Sequence, residues 1–254
     1  MTMMIGEKYW QRLAALTERY AATAPGIRGR VRAMQVFAAA LQAHHLPPAP
    51  LPRLALAEDE LAALLWAYPG ESDQIRTLDH LLTEFRHVIS REFGVWAMIT
   101  VPFVDTLAAA WQDRRVVELM AGNAMLSAGL AARGITVSAT DDRSWAAANG
   151  TGAVPWYPVQ NIAAPAAVAQ TLPSTDAYVW AWSPDGSPVD WQVLQRLRAA
   201  QFSGDLLIVG EYRGVTDSAV FWNHAHLHTT PLTRALNRTL HRFDLVNERA
   251  FLIS

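Results

Sequence analysis

Val116-Val117-Glu118-Leu119-Met120-Ala121-Gly122-Asn123-Ala124-Met125-Leu126-Ser127, then a second apolar run, Ile135 to Ala139, and then Asp141 read as strand, tight turn, helix, second strand and acid. That order is the opening unit of a parallel sheet, whose ligands sit outside the carboxyl ends of the strands, where strand order reverses. Gly122, with no side chain, lets a ligand approach the backbone of the turn. Asn123 is one of the few other residue types that tolerate a left-handed turn conformation. Asp141, 23 positions after Glu118, has two carboxylate oxygens with which to accept hydrogen bonds from a pair of ribose hydroxyls. A carboxylate there disfavours a ribose phosphate and so argues against NADP.

The glycine pattern narrows the ligand further. A dinucleotide fold needs G-x-G-x-x-G to seat a pyrophosphate on a helix N-terminus. Here only Gly122 is present; Met120 and Ala124 stand where the methyltransferase pattern that this stretch resembles, E-x-G-x-G-x-G, has its flanking glycines. Glu118 would repel a pyrophosphate and suits a ligand ammonium.

Outward from this unit the chain alternates. Ser127–Arg133 is expected to be helical with Gly134 as its C-cap. Strands are expected around Trp156–Val159, over Ala177–Trp182 and over Asp205–Gly210, with a helix over Trp191–Ala200. Phe243–Val246 and Ala250–Ile253 read as an antiparallel pair. Alternating strands and helices imply a parallel sheet with helices on both faces.

Residues 1–94 differ. Tyr9, Leu13, Leu16 and Tyr20 recur at helical spacing, as do Val31, Met34, Phe37, Ala38 and Leu41, then Leu61, Leu64, Leu65 and Tyr68, then Leu78, Leu81, Leu82, Phe85 and Ile89. Leu46-Pro47-Pro48-Ala49-Pro50-Leu51-Pro52 cannot be helical and reads as an extended connector. The division is therefore a helical N-terminal extension or cap, 1–94, and an α/β domain, 95–254.

Composition excludes several classes. Hydrophobic residues make up 51% of the 254, which supplies a full core and argues against disorder. The 21 basic and 23 acidic residues form no basic run, so nucleic acid is not supported as a partner. There is no cysteine, which removes disulfides, thiolate zinc sites and cysteine nucleophiles. Glu7 and Lys8 interrupt any signal-type apolar stretch, and no apolar run reaches the ~20 residues that span a bilayer. A soluble cytoplasmic protein is expected, its oligomeric state open.

The unit around Glu118–Ser127 and Asp141 resembles the first motif of class I (Rossmann-like) S-adenosylmethionine-dependent methyltransferases. Asp176-Ala-Tyr-Val-Trp-Ala-Trp182-Ser183-Pro184 resembles the family's fourth strand and the segment after it. Gly210 to Phe221 resembles the end of the fifth strand in a poorly characterised methyltransferase-like group, and Gly94 to Ile99 the segment entering that domain. The likeness spans roughly 93–254. It implies a doubly wound, mostly parallel, seven-stranded-type sheet and S-adenosylmethionine as cofactor. The cofactor-binding residues would be Glu118, Met120, Ala121, Gly122, Asn123, Asp141, Asp142, Asn161, Trp96 and Trp182.

At the reacting end the candidates are Ser183, Pro184, Glu211 and Tyr212. Ser183-Pro184 is a partial match to the motif with which amino methyltransferases hold a target nitrogen; Ser-Pro-Asp-Gly also reads as a plain turn. Glu211, just past an apolar strand, is a candidate acid or base whose burial would raise its pKa, or a carboxylate paired with Arg213. Tyr212 and Trp182 are candidate walls of the acceptor pocket. Asp142 reads equally as a cap and Asn161 as a loop residue. His224 and His228 would share a helical face able to bind zinc, but no further ligand motif accompanies them, so no metal is assigned. The expected activity is methyl transfer to a small molecule or protein side chain. The alternatives are an inactive methyltransferase-like binding module, motivated by the lost glycines, and a metal-dependent hydrolase.

Overall fold

The computed structural model describes residues 5–146, 151 and 154–254. A seven-stranded sheet runs β3-β2-β1-β4-β5-β7-β6, with β1 Arg115–Glu118, β2 Thr136–Asp141, β3 Val159–Asn161, β4 Ala177–Ala181, β5 Asp205–Gly210, β6 Leu227–His228 and β7 Arg249–Ile253. β1 pairs in parallel with both β2 and β4, and β4 with β5. β7 runs antiparallel to β5 and β6. Strand order reverses between β1 and β4, so the switch point lies where the sequence places the turn.

Alternation along each central strand builds two cores. Val116, Ala177, Val179, Leu207 and Val209 face one core, while Val117, Tyr178, Trp180, Leu206 and Ile208 face the other. On the second face lie α8 (Ala164–Thr171), α9 (Val189–Ala199) and α10 (Ala219–His224), through residues such as Ala167, Leu194 and Phe221. On the first lie α6 (Val101–Ala110), α7 (Met125–Ala131) and α11 (Pro231–Asn237). Strands buried on both faces explain the near-continuous apolar runs.

The first core does not stop at the sheet. It continues without a break into α1 (Ile5–Tyr20), α2 (Gly26–Gln42), α3 (Glu58–Ala67), α4 (Ser72–Thr83) and α5 (Phe85–Phe93). The fourth helical stripe is two helices, since the chain turns at Glu84 between α4 and α5. The proline-rich connector is extended, as expected, and docks at both ends of the fold: Val101 N donates to Pro47 O, and Leu54 N to Phe243 O. α5 ends at Gly94, whose φ of 62° gives the left-handed cap. A side chain there would meet Thr151 Oγ1 at 2.4 Å and Asn123 Nδ2 at 2.7 Å, so only glycine lets this segment lie over the first turn.

Two expected elements moved, and one helix was not expected. Phe243–Val246 is not a strand: Asp244 is drawn into an ion pair with Arg86, and its carboxylate accepts from Val246 N at 3.0 Å, which turns the chain. The partners of β7 are instead β5 and the short β6. β3 begins at Val159, after the Trp156–Tyr157 segment. α6 was assigned no element from the sequence, although its buried Phe103, Val104, Leu107 and Ala108 stand at helical spacing. Among the described residues no helix is long and apolar enough to cross a membrane.

A buried charged node joins the helical region to the sheet. Arg86 of α5 pairs with Asp244 at 2.6 Å and Glu248 at 3.4 Å, and all three side chains are at most 7% exposed. Its guanidinium lies 4.8 Å from the ring centroid of Trp182 and 4.7 Å from that of Phe243. Removing one member of such a set leaves uncompensated buried charge, which costs about 3–5 kcal/mol. Arg86→Met is therefore expected to lower the unfolding free energy by that amount in urea titrations followed by tryptophan fluorescence.

Candidate functional site

The turn after β1 keeps a glycine-like shape without the glycines. Met120, Gly122 and Ala124 have φ of 51°, 55° and 56°. Met120 and Ala124 thus hold the left-handed conformation that the flanking glycines would adopt freely, at a cost of roughly 1–2 kcal/mol each. Asn123, expected to take the left-handed position, does not; its neighbours on both sides do. A side chain at Gly122 would touch nothing nearer than Trp145 Cζ2 at 4.0 Å, so the backbone there is open to a ligand.

Two buried acids hold this strained turn. Glu118 Oε2 accepts from Ser127 N at 2.8 Å and Ser127 Oγ at 2.5 Å, bolting the end of β1 to the start of α7. Asp141 Oδ2 accepts from Gly122 N at 2.8 Å, and Oδ1 accepts from Arg143 N at 2.6 Å and Trp145 Nε1 at 3.0 Å. The acid at the end of β2 therefore fixes the glycine as well as lining a cavity at the switch point. Burial pushes the Glu118 carboxyl up to about 7, against the pull of the Ser127 hydrogen bonds and with a smaller push from Asp141.

A cavity of about 430 Å³ opens over the switch point. It brings together Glu118, Met120, Ala121, Gly122, Asn123, Asp141, Asp142, Trp96, Trp182, Ser183 and Pro184. Asp142 also caps its own turn, accepting from Ser144 N at 2.9 Å and Ser144 Oγ at 2.8 Å. Trp96 stacks on Trp182 with ring centroids 6.2 Å apart. Trp182 is itself left-handed, with φ 66°, and donates from Nε1 to Glu248 at 2.7 Å. Among the described residues, two buried polar atoms on the lining residues find no hydrogen-bond partner: Asn123 Oδ1 and Ser183 Oγ.

Three expected site residues lie elsewhere. Asn161 is exposed at the end of β3 and does not line the cavity. Glu211 is spent on its own loop: Oε1 accepts from Asn247 N at 2.7 Å and Oε2 from Val215 N at 3.2 Å. It therefore ties the loop after β5 to the segment before β7 and does not face the cavity as an acid or base. Tyr212 points to the outer side, its ring 5.2 Å from Trp222 and under Arg213. The histidines do not converge either, because α10 ends at His224. His224 stacks on Trp191, while His228 in β6 contacts Ser254 Oγ. Among the described residues no group of metal-ligating side chains comes together.

Sequence reasoning missed Ser127, Trp145 and two buried carboxylates, Asp190 and Asp217. Asp190, wholly buried, accepts from Ser218 N and from Ser218 Oγ at 2.7 Å. Asp217 accepts from Trp180 Nε1 at 2.7 Å, and its own N–H donates to Ser183 O at 2.9 Å. Burial pushes Asp217 up to about 7. The run Thr216-Asp217-Ser218 was the available signal, since such residues hydrogen-bond backbone at turns.

No family model matches the chain, and no curated protein does. Similar solved structures include an rRNA methylase from Streptococcus thermophilus, 17% identical, covering 62% of this chain and 98% of its own, TM-score 0.38. A mutant of MtNAS in complex with S-adenosylmethionine is 11% identical over 99% of this chain and 98% of its own, TM-score 0.41. Human N-acetylserotonin methyltransferase in complex with SAM is 12% identical over 88% and 66%, TM-score 0.37. The strand order and the turn geometry agree with the sequence resemblance. The fold is a doubly wound, mostly parallel seven-stranded sheet with helices on both faces, as that resemblance implies.

The sign of the Glu118 shift gives a stability test. Its folded value, about 7, lies above the ordinary 4.5, so the native state holds the proton more tightly than the unfolded chain. That contribution is complete below the ordinary value and is lost as pH rises through about 7. Glu118→Gln is expected to flatten this part of the pH–stability curve, read from urea midpoints between pH 4.5 and 8. Ala124→Gly is expected to gain about 1 kcal/mol by relieving the left-handed alanine, read by thermal melting.

Proposed function

We propose that this protein is an S-adenosylmethionine-dependent methyltransferase whose acceptor is a small molecule or a protein side chain. One observation carries the reading: an open glycine turn, pinned between two buried acids, forms one wall of a cavity at the reversal of strand order. Glu118 and the unpartnered Asn123 Oδ1 suit an ammonium, and Asp141 suits a pair of ribose hydroxyls. The left-handed conformations of Met120 and Ala124 support a retained binding loop despite the lost glycines.

When bound, S-adenosylmethionine supplies a methyl carbon already activated by the sulfonium. The chain's own residues are left to bind, orient and exclude water. Trp182 and Trp96 wall the reacting end, and Ser183 and Pro184 form its floor. Asp217, through Ser183 O, keeps the Ser183-Pro184 backbone in place. The N-terminal helices contribute through Arg86, which packs behind Trp182 and donates to Trp96 O at 3.0 Å.

Isothermal calorimetry with S-adenosylmethionine tests the cofactor. Asp141→Ala removes a charged acceptor of the kind worth about 1.5–3 kcal/mol, so its affinity should fall roughly ten- to hundredfold. Absence of binding to the wild type would sink the reading. Chromatography of the nucleoside product then tests the reaction. Methyl transfer leaves S-adenosylhomocysteine; methylthioadenosine instead would mean that the larger amino acid chain is the group transferred.

A further inference from the structure

β6 ends the sheet with two residues, Leu227 and His228, which pair with Ile253 and Leu252 of β7. The chain then turns into α11, so no strand pairs with Ala250 on the outer side of β7. The side chain of Asn237 takes that place. Its Nδ2 donates to Ala250 O at 2.9 Å, and its Oδ1 accepts from Ala250 N at 2.8 Å. This two-way clamp fixes the end of α11 against β7.

The clamp gathers positive charge. Arg234 lies in α11 and Arg238 just past its end, one helical turn apart beside Asn237, and Arg249 begins β7. All three are exposed, and they line one open groove of about 550 Å³ between β6, α11 and β7. Among the described residues no carboxylate pairs with any of them, and no Asp or Glu lines the groove. Elsewhere Arg30, Arg114 and Arg115 are each met by an acid. Like charges at i and i+4 repel, and Arg249 adds a third cation. A cleft of one charge sign with low-dielectric walls focuses its field and concentrates counter-ions. Leu227, 41% exposed, and the half-buried Phe251 supply such walls.

We propose that this groove binds the phosphate end of a small phosphorylated molecule, a monoester or a diphosphate. Guanidiniums grip oxyanions through paired N–H donors, and a phosphate accepts several at once. A phosphate monoester carries roughly two negative charges, whereas a single carboxylate would leave most of the cluster unanswered. The apolar walls take the part of the molecule next to the phosphate. A nucleic acid fits less well, because it needs a track of cations, and this chain has a formal net charge of -2 and no basic run. No residue lines both this groove and the cavity over the switch point, so the site stands apart from the cofactor reading.

Isothermal calorimetry with inorganic diphosphate and the full chain tests this, at low ionic strength where exposed charges are least screened. One saturable site is expected. Arg238→Gln and Arg249→Gln should each weaken it about tenfold, while Arg12→Gln, on α1 outside the groove, leaves it unchanged. Both groove arginines are exposed and unpaired by acids, so neither variant should lower the melting temperature. Acetate, a single carboxylate, should show no saturable binding. Absence of diphosphate binding, a loss in the groove variants no larger than in Arg12→Gln, or acetate binding as tightly as diphosphate overturns the inference. A short single-stranded RNA that binds more tightly than diphosphate, and weakens with the same two variants, gives the groove to nucleic acid and overturns it as well.

Discussion

The turn between β1 and α7 is the constraint on which the site depends. Three residues in five, Met120, Gly122 and Ala124, are left-handed, and two of them bear side chains that resist it. Such strain persists only where surroundings over-determine the backbone. Here the surroundings are two carboxylates. Glu118 anchors the helix side through Ser127, and Asp141 holds the glycine amide from the neighbouring strand. Both acids are buried, so each hydrogen bond is made in a low dielectric where leaving it unmade would be costly. The geometry that opens the backbone to a ligand is thus maintained by the same groups that would bind the ligand's polar ends.

A second constraint couples the helical region to the reacting end. Arg86 belongs to α5, Trp182 follows β4, and Asp244 and Glu248 precede β7, yet their side chains form one buried cluster. Glu248 also accepts from Met98 N at 3.3 Å, which fixes the segment that carries Trp96 over the cavity. The N-terminal helices therefore share both the apolar core and the polar node of the domain they precede. Their position beside the pocket follows from that continuity.

Much of this was legible from residue order. The strand–turn–helix–strand–acid unit needs only local periodicity and the chemistry of Gly122, Glu118 and Asp141, and the cavity gathers those residues as expected. Legibility failed where a side chain's partner is distant in sequence. Glu211 looks like a free acid at a strand end until Asn247, 36 positions on, supplies its backbone donor. Tyr212 looks like a pocket wall until Trp222 takes it outward. Phe243–Val246 has a strand's apolar pattern, but Arg86, 158 positions before Asp244, bends it.

The sequence by itself determined the two-sided core, because alternating apolar strands can bury both faces only between layers of helices. It also marked the turn after β1 as the candidate ligand site, because Gly122 and Asp141 stand at the carboxyl ends of adjacent parallel strands, where such sheets leave room for a ligand. Only the tertiary structure decided that Met120 and Ala124 take glycine's conformation, since φ there is imposed by Glu118 and Asp141 across the sheet. It alone decided which polar residues face the cavity and which tie loops. That choice depends on which backbone donor lies within hydrogen-bond reach, a distance set by packing and not by spacing along the chain.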